Sequence, residues 1–217
     1  LPADIERTSM AIIESELKAQ NITLLPHTEA VVKRVIHTTA DFDYAHTLQF
    51  TPDAVSLGVA ALRRGVPVVT DTNMAKAGIS KPSLAKLGLQ VHCFMADEKV
   101  AEQAREEGTT RAVAAMRHAA TVLPGALLAV GNAPTALLEI ADLIEKGFRP
   151  ALVVGVPVGF VNVVESKPRL MQVCKAAGGP AIIAMGRKGG SNVAAAICNA
   201  LLYTALDTLD PERRGWK

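Results

Sequence analysis

The sequence predicts an α/β fold: a doubly wound, mostly parallel sheet with helices on both faces, Rossmann-like in plan. Three observations carry this. Of 217 residues 49% are hydrophobic but only 4% aromatic, so the core is aliphatic, which suits the short buried strands of a parallel sheet. Aliphatic runs at 67–70, 89–94, 126–130, 151–154 and 181–184 alternate with stretches of helical periodicity. Three of these runs lead straight into a glycine-containing loop and then a helix. The length suits one domain over residues 1–217, and no repeat, low-complexity tract or linker divides it.

Residues 3–19 read as a helix, with Ile5, Ile12, Ile13 and Leu17 at helical spacing and the acidic residues mostly between them. Ser9 falls on or beside that apolar face. It reads either as a packed small residue bonded to a backbone carbonyl or as a ligand contact. Residues 28–39 form a second helix, with Thr28 as N-cap, an apolar stripe of Val31, Val32, Val35 and Ile36, and a polar stop at Asp41-Phe42-Asp43. Within it Arg34 and His37 lie three apart and share a face. The helix dipole favours a protonated His37 and the neighbouring arginine disfavours it. The balance places the imidazole near neutrality, the setting of a general acid or base. A histidine that only caps the helix end fits the same residues.

Residues 47–51 are a short strand candidate, and Pro52 opens a helix that closes at Gly65. The strand at 67–70 ends in Asp71-Thr72-Asn73, a polar cluster where open α/β sheets place ligands, although Asp71 also suits the cap of the next turn. Ser80 with Pro82 begins a short helix; it reads as a cap first and as a ligand contact second. Helices at 97–107 and 109–122 flank Gly108, with Thr109 or Thr110 as the second cap and Arg111 in its first turn. A cation there opposes the dipole, which marks either an exposed arginine or a functional one.

The three loops are Gly131-Asn132-Ala133-Pro134-Thr135, then Gly155-Val156-Pro157-Val158-Gly159-Phe160 running on to Glu165-Ser166-Lys167, and Gly186-Arg187-Lys188-Gly189-Gly190-Ser191-Asn192 before a closing helix at 192–206. Glycines there close tight turns or let backbone N–H groups approach an anion. With Arg187, Lys188 and Lys167 among them, they favour a large carboxylate- or phosphate-bearing ligand. None has the spacing of a dinucleotide or P-loop fingerprint, so a nucleotide-dependent enzyme is disfavoured.

The net charge is +2 with dispersed charges, so no nucleic-acid-binding face is expected. Cys93, Cys174 and Cys198 are far apart in apolar surroundings and read as buried free thiols. No local metal motif is present. The acidic N-terminal stretch argues against a retained signal peptide, and apolar runs are broken by Gly and Pro, so a cytoplasmic chain with no membrane contact is expected.

Five motifs, in this order, make the chain resemble the precorrin-8X methylmutase family, which includes the cobalt-precorrin-8 methylmutases. They are Arg34-Val35-Ile36-His37, Gly131-Asn132-Ala133-Pro134-Thr135-Ala136-Leu137, Pro157-Val158-Gly159-Phe160-Val161, Glu165-Ser166-Lys167 and Gly186-Arg187-Lys188-Gly189-Gly190-Ser191. The resemblance spans nearly the whole chain. It implies a shift of a methyl group from C11 to C12 of a tetrapyrrole, giving hydrogenobyrinate or its cobalt form, with no cofactor and with any cobalt arriving in the substrate. It implies His37 as proton donor or acceptor. It implies substrate contacts at Ser9 and Arg34, with Ser80 and Arg111 as further candidates. Asn132, Ser166 and Arg187 complete the candidate contacts for the tetrapyrrole substrate and product. A homodimer is also implied. A tetrapyrrole carrier without catalysis is the alternative, which single-turnover conversion separates from an enzyme.

Overall fold

The computed structural model describes residues 1–215. In chain order the elements are α1 (Pro2–Ala19), α2 (Glu29–Thr39), the single turn α3 (Tyr44–Thr47), β1 (Leu48–Phe50), α4 (Ala54–Arg63), β2 (Val68–Thr70), α5 (Asn73–Gly78), α6 (Lys81–Leu87), β3 (Val91–His92), α7 (Glu98–Glu106), α8 (Arg111–Val122), β4 (Leu127–Val130), α9 (Pro134–Glu145), β5 (Leu152–Gly155), α10 (Val163–Ala177), β6 (Ala181–Ala184), α11 (Ser191–Ala205) and a 3-10 turn, Pro211–Arg214. The sheet order is β1-β6-β5-β4-β2-β3. All pairings are parallel except that of β1, which runs antiparallel to β6 on the edge. With β1 set aside, the parallel strands follow a 2-1-3-4-5 order, a doubly wound plan whose winding reverses between β2 and β4.

Successive residues of each strand point to opposite faces, and the two cores divide accordingly. Leu127, Ala129, Leu152, Val154, Ile182 and Ala184 join the core that holds α2, α4 and α11. Leu128, Val130, Val153, Ala181 and Ile183 join the core with α8, α9 and α10. The expected helices on both faces are therefore present. Helix α11 packs on α2, α4 and α5 as well as on the sheet. Helix α2 is anchored by Val31, Val32, Val35 and Ile36, all buried. Each such side chain contributes roughly 1.5–3 kcal/mol, so Arg34 and His37 stand on a rigid platform.

The structure departs from the sequence expectations at several points. On α1 the buried residues are Ala3, Glu6, Ile13 and Leu17, while Ile5 is 69% and Ile12 52% exposed. The apolar periodicity thus merges two stripes, one in the core and one facing outwards. Thr28 occupies the N-cap position of α2 but caps nothing, because its hydroxyl donates back to the Leu25 carbonyl. Helix α2 ends on Ala40 in the left-handed region (φ 53°), one residue before the expected polar turn. Lys167 lies inside α10, not in a loop. Cys174 and Cys198 are buried, and burial pushes their thiols up to about 11 and 12, whereas Cys93 is only half-buried.

Candidate active site

His37 is exposed in the last turn of α2. It lines a cleft of about 250 Å³ together with Ile36, Ala40 and Phe42 and with Ser9, Ile12, Ile13 and Glu16 of α1. The four α1 residues recur at helical spacing, so one stripe of α1 faces one end of α2. The structure thereby brings together Ser9 and His37, which are 28 residues apart in sequence. The Ser9 hydroxyl donates to the Ile5 carbonyl at 2.9 Å and keeps its oxygen lone pairs towards the cleft. The His37 imidazole is held below its ordinary pKa by partial burial and by the Arg34 cation, against the opposing pull of Glu6. At neutral pH it is therefore an uncharged imidazole, with one nitrogen that donates and one that accepts.

Arg34 does not line this cleft. Its guanidinium bonds the Glu6 carboxylate at 2.6 Å and lies over the Tyr203 ring, 5.2 Å from the centroid. Arg214 also meets Glu6 at 2.6 Å and sits 4.3 Å from the same centroid. Burial pushes the Glu6 carboxyl up, but the two guanidiniums outweigh it and hold it below the usual range. Sequence reasoning missed Glu6, Arg214 and Tyr203. The available signal was Glu6 itself, a carboxylate at helical spacing with the core residues Ala3, Ile13 and Leu17.

The three glycine loops meet at the carboxyl edge of the sheet, where ligands bind in this topology. The N–H groups of Gly131, Asn132 and Ala133 in the first loop, and those of Gly159 and Gly190 in the other two, are consumed internally, contrary to the anion-binding role expected of them. Both Asp71 carboxylate oxygens accept at 2.8 Å, one from Gly131 and the other from Asn132 and Ala133. The Gly159 N–H donates to the Arg187 carbonyl and the Gly190 N–H to that of Val156. Asp71 is neither ligand contact nor cap. It is buried at the point where the winding reverses, and burial pushes its carboxyl up against the pull of its N–H donors. The next cap is Thr72, which accepts from Ala75 and shares a 2.7 Å bond with Ser191. The glycines serve close packing of chain on chain. A Cβ at Gly189 would lie 2.1 Å from the Val156 carbonyl oxygen, and one at Gly131 2.7 Å from the Ser191 Cα.

The remaining candidates separate. Ser166 is fully buried and donates to the Val163 carbonyl, so it faces no ligand. Lys167 is likewise buried; its ammonium donates to the Gly186 and Lys188 carbonyls at 2.7 and 2.9 Å, and burial lowers it to about 8. It pins the last loop from inside and is no part of a rim. Lys188 is paired with Asp41 at 2.7 Å and with Asp43 at 2.5 Å, which ties that loop to the end of α2. Ser80 caps α6, and its backbone N–H meets Asn199 of α11. Arg111 is exposed in the first turn of α8, and the preceding cap, Thr110, bonds Thr135 beyond the exposed Asn132. Arg187 is exposed and lies over Phe160, 5.4 Å from its centroid; Phe160 and Val161 are themselves 80% and 78% exposed. None of Ser80, Arg111, Asn132 or Arg187 lines the His37 cleft. Among the described residues no group of three or more His, Cys, Asp or Glu could hold a metal ion, and no helix is long and apolar enough to cross a membrane.

Comparison with known proteins gives a consistent result. Residues 4–204 match the family model for precorrin-8X methylmutase. The cobalt-precorrin-8 methylmutase of Salmonella typhimurium is 45% identical over 206 residues, covering 93% of this chain and 95% of its own. That of Leptospira interrogans is 42% identical over 212 residues, covering 93% of each. A crystal structure of precorrin-8X methyl mutase from Thermus thermophilus superposes with a TM-score of 0.84 at 39% identity, covering 94% of this chain and 98% of the other.

Proposed function

This chain belongs to the precorrin-8X methylmutase family, and on that premise we propose that it moves a methyl group from C11 to C12 of a precorrin-8 macrocycle. It is thus an isomerase of cobalamin biosynthesis. The C11–CH₃ bond breaks, the C12–CH₃ bond forms, and the π electrons of the ring rearrange without net redox change. The product is hydrogenobyrinate or its cobalt form. The observation that carries this reading is His37, exposed beside Ser9 in an apolar cleft and uncharged at neutral pH. A neutral imidazole can donate to, or accept from, a ring nitrogen as the methyl migrates. Where it donates, the conjugated ring becomes a better electron sink, an effect of about 10²–10⁴-fold in rate. Ser9 is the second polar contact. Arg111, Asn132 and Arg187, exposed beyond the cleft, are assigned to the peripheral carboxylates of the macrocycle.

The substrate is assigned as the cobalt form, in keeping with the names of the two relatives described above and with the Thr38-Thr39-Ala40-Asp41-Phe42 run after the histidine. The cobalt enters as part of the substrate. The cleft is smaller than the roughly 300–1,000 Å³ that enclose drug-sized ligands, and a tetrapyrrole is larger still. The exposed Ile5 and Ile12 flank Ser9 on α1. Both facts support a homodimer in which a second copy covers the cleft, each copy acting as one methylmutase domain.

The test is turnover of both precorrins, cobalt-containing and metal-free, by wild-type protein and His37→Ala. The variant is expected to lose about 10²–10⁴ in kcat while still binding the coloured product. Wild-type turnover by the variant overturns the role of His37. Activity on the metal-free substrate alone overturns the cobalt assignment. In the wild type kcat/KM should rise on acidification below the ordinary histidine value of 6.5, as the imidazole gains a proton and becomes the stronger donor.

A further inference from the structure

Part of the cleft wall is held from a distant point of the chain. Ala40 and Phe42, which line the cleft with His37, belong to the short segment between α2 and α3. Phe42 is partly buried against the core. Ala40 lies in the left-handed region, φ 53°, which is unfavourable for a residue with a Cβ and persists where the surroundings over-determine it. Here they do. The Asp41 N–H donates to the Thr39 hydroxyl at 3.3 Å, and Oδ1 of Asp41 accepts the Asp43 N–H at 3.0 Å. The Oδ2 atoms of Asp41 and Asp43 both meet one ammonium, Lys188 Nζ, at 2.7 and 2.5 Å. Lys188 comes from the loop after β6, 145 residues beyond Asp43, and grips the carboxylates on either side of Phe42 in sequence. Without it, two like charges would face each other across the turn. Lys188 is fixed at its other end as well. Its carbonyl accepts from the buried Lys167 ammonium of α10 at 2.9 Å, beside the Gly186 carbonyl at 2.7 Å.

We propose that Lys188 is a positioning residue for the reaction: by gripping Asp41 and Asp43 it sets Phe42 and the end of α2 as the cleft wall against which the macrocycle meets His37. The proposal rests on this cleft as the site of methyl migration. Lys188 does not line the cleft and acts only through the turn. The chain of contacts is continuous. Helix α10 holds the loop through Lys167, the loop holds the turn through Lys188, and the turn lines the cleft. Stability does not account for the grip. Lys188 is 47% exposed, against 29% and 65% for Asp41 and Asp43, and exposed ion pairs contribute little to folding. Rate is more sensitive than stability, because a misplacement of about 1 Å at a reacting centre costs up to roughly 10²-fold.

The experiment compares wild type with Lys188→Met, Lys188→Arg, the pair Asp41→Asn with Asp43→Asn, and the triple variant that joins this pair to Lys188→Met. Each is measured for kcat on the precorrin that wild type turns over, for affinity towards the coloured product and for melting temperature. The asparagines keep the oxygen that receives the Asp43 N–H and remove only the charges. Lys188→Met is expected to lose roughly 10–10²-fold in kcat, with product affinity and melting temperature close to wild type. Lys188→Arg keeps the charge, spans both carboxylates and should recover most of the rate. The asparagine pair should lose as much as Lys188→Met, and the triple variant no more than either, since all three changes break one contact. In the ligand-free protein the Phe42 ring resonances should shift in Lys188→Met and return in Lys188→Arg. Wild-type kcat in Lys188→Met, losses that multiply in the triple variant, or unmoved Phe42 resonances overturn the proposal. So does a weaker product affinity with kcat intact, which would make Lys188 a direct contact of the substrate carboxylates, and so does a melting temperature that falls in step with the rate. A wild type inactive on both precorrins sinks the functional reading and this proposal with it, whereas an active wild type matched by Lys188→Met sinks this proposal alone.

Discussion

His37 and Lys167 show how burial changes what a titratable residue does. The sequence placed Arg34 and His37 on one face and read their opposition correctly, because both lie in one helix where spacing fixes geometry. It could not show that Arg34 and Arg214 converge on Glu6, since those contacts span 28 and 208 residues of chain. Lys167 was misjudged for the same reason: nothing local distinguishes a rim cation from one that points inwards at the Gly186 and Lys188 carbonyls. Its lowered value, about 8 against 10.5 in an unfolded chain, has a defined consequence. Between these two pH values the folded protein has released a proton that the unfolded chain still holds. The unfolded state then binds more protons, so stability rises with pH across that window. Urea midpoints at pH 7.5 and 9.5 should show this rise in wild type relative to Lys167→Met, whose profile lacks it. Parallel profiles for the two proteins would refute the assignment.

Among the elements, strands and helices were legible and their loops were not. Aliphatic runs bounded by glycine marked β2, β4, β5 and β6 to within a residue or two, and the antiparallel edge strand β1 fell where 47–51 was read. Strand β3 shrank to Val91–His92 because it has a partner only in β2. The glycine loops were read as open to a ligand, since a Gly-rich turn looks the same whether its N–H groups meet a substrate or a carboxylate 60 residues upstream. Asp71 makes three such bonds from a site 1% exposed. Asp71→Ala leaves those donors unsatisfied at roughly 1–3 kcal/mol each before relaxation. A loss of about 2–5 kcal/mol in the unfolding free energy is therefore expected. A loss below about 0.5 kcal/mol, the level of an ordinary surface change, would show that the tie is dispensable.

At the scale of the whole molecule, the outward stripe of α1 decides what the cleft becomes. Helical periodicity could not separate Ile5 and Ile12 from Ile13 and Leu17, because all four fit one broad apolar face. In the fold only the second pair is internal. If a second copy covers the stripe, Ile5→Lys with Ile12→Lys should shift the mass in solution from two chains to one and lower turnover. Thermal stability of the single chain should change little, as both positions are exposed. A double variant that remains a dimer would move the interface to another face. The closed crevice between β2 and β4 has a separate consequence. Where many folds of this winding admit a diffusible anion, this chain supplies its own, covalently attached and therefore always present. An Asp71→Ala protein is in that sense a receptor with its ligand cut away. Added formate, the smallest carboxylate, should enter the vacancy and raise the melting temperature of the variant while leaving the wild type unmoved.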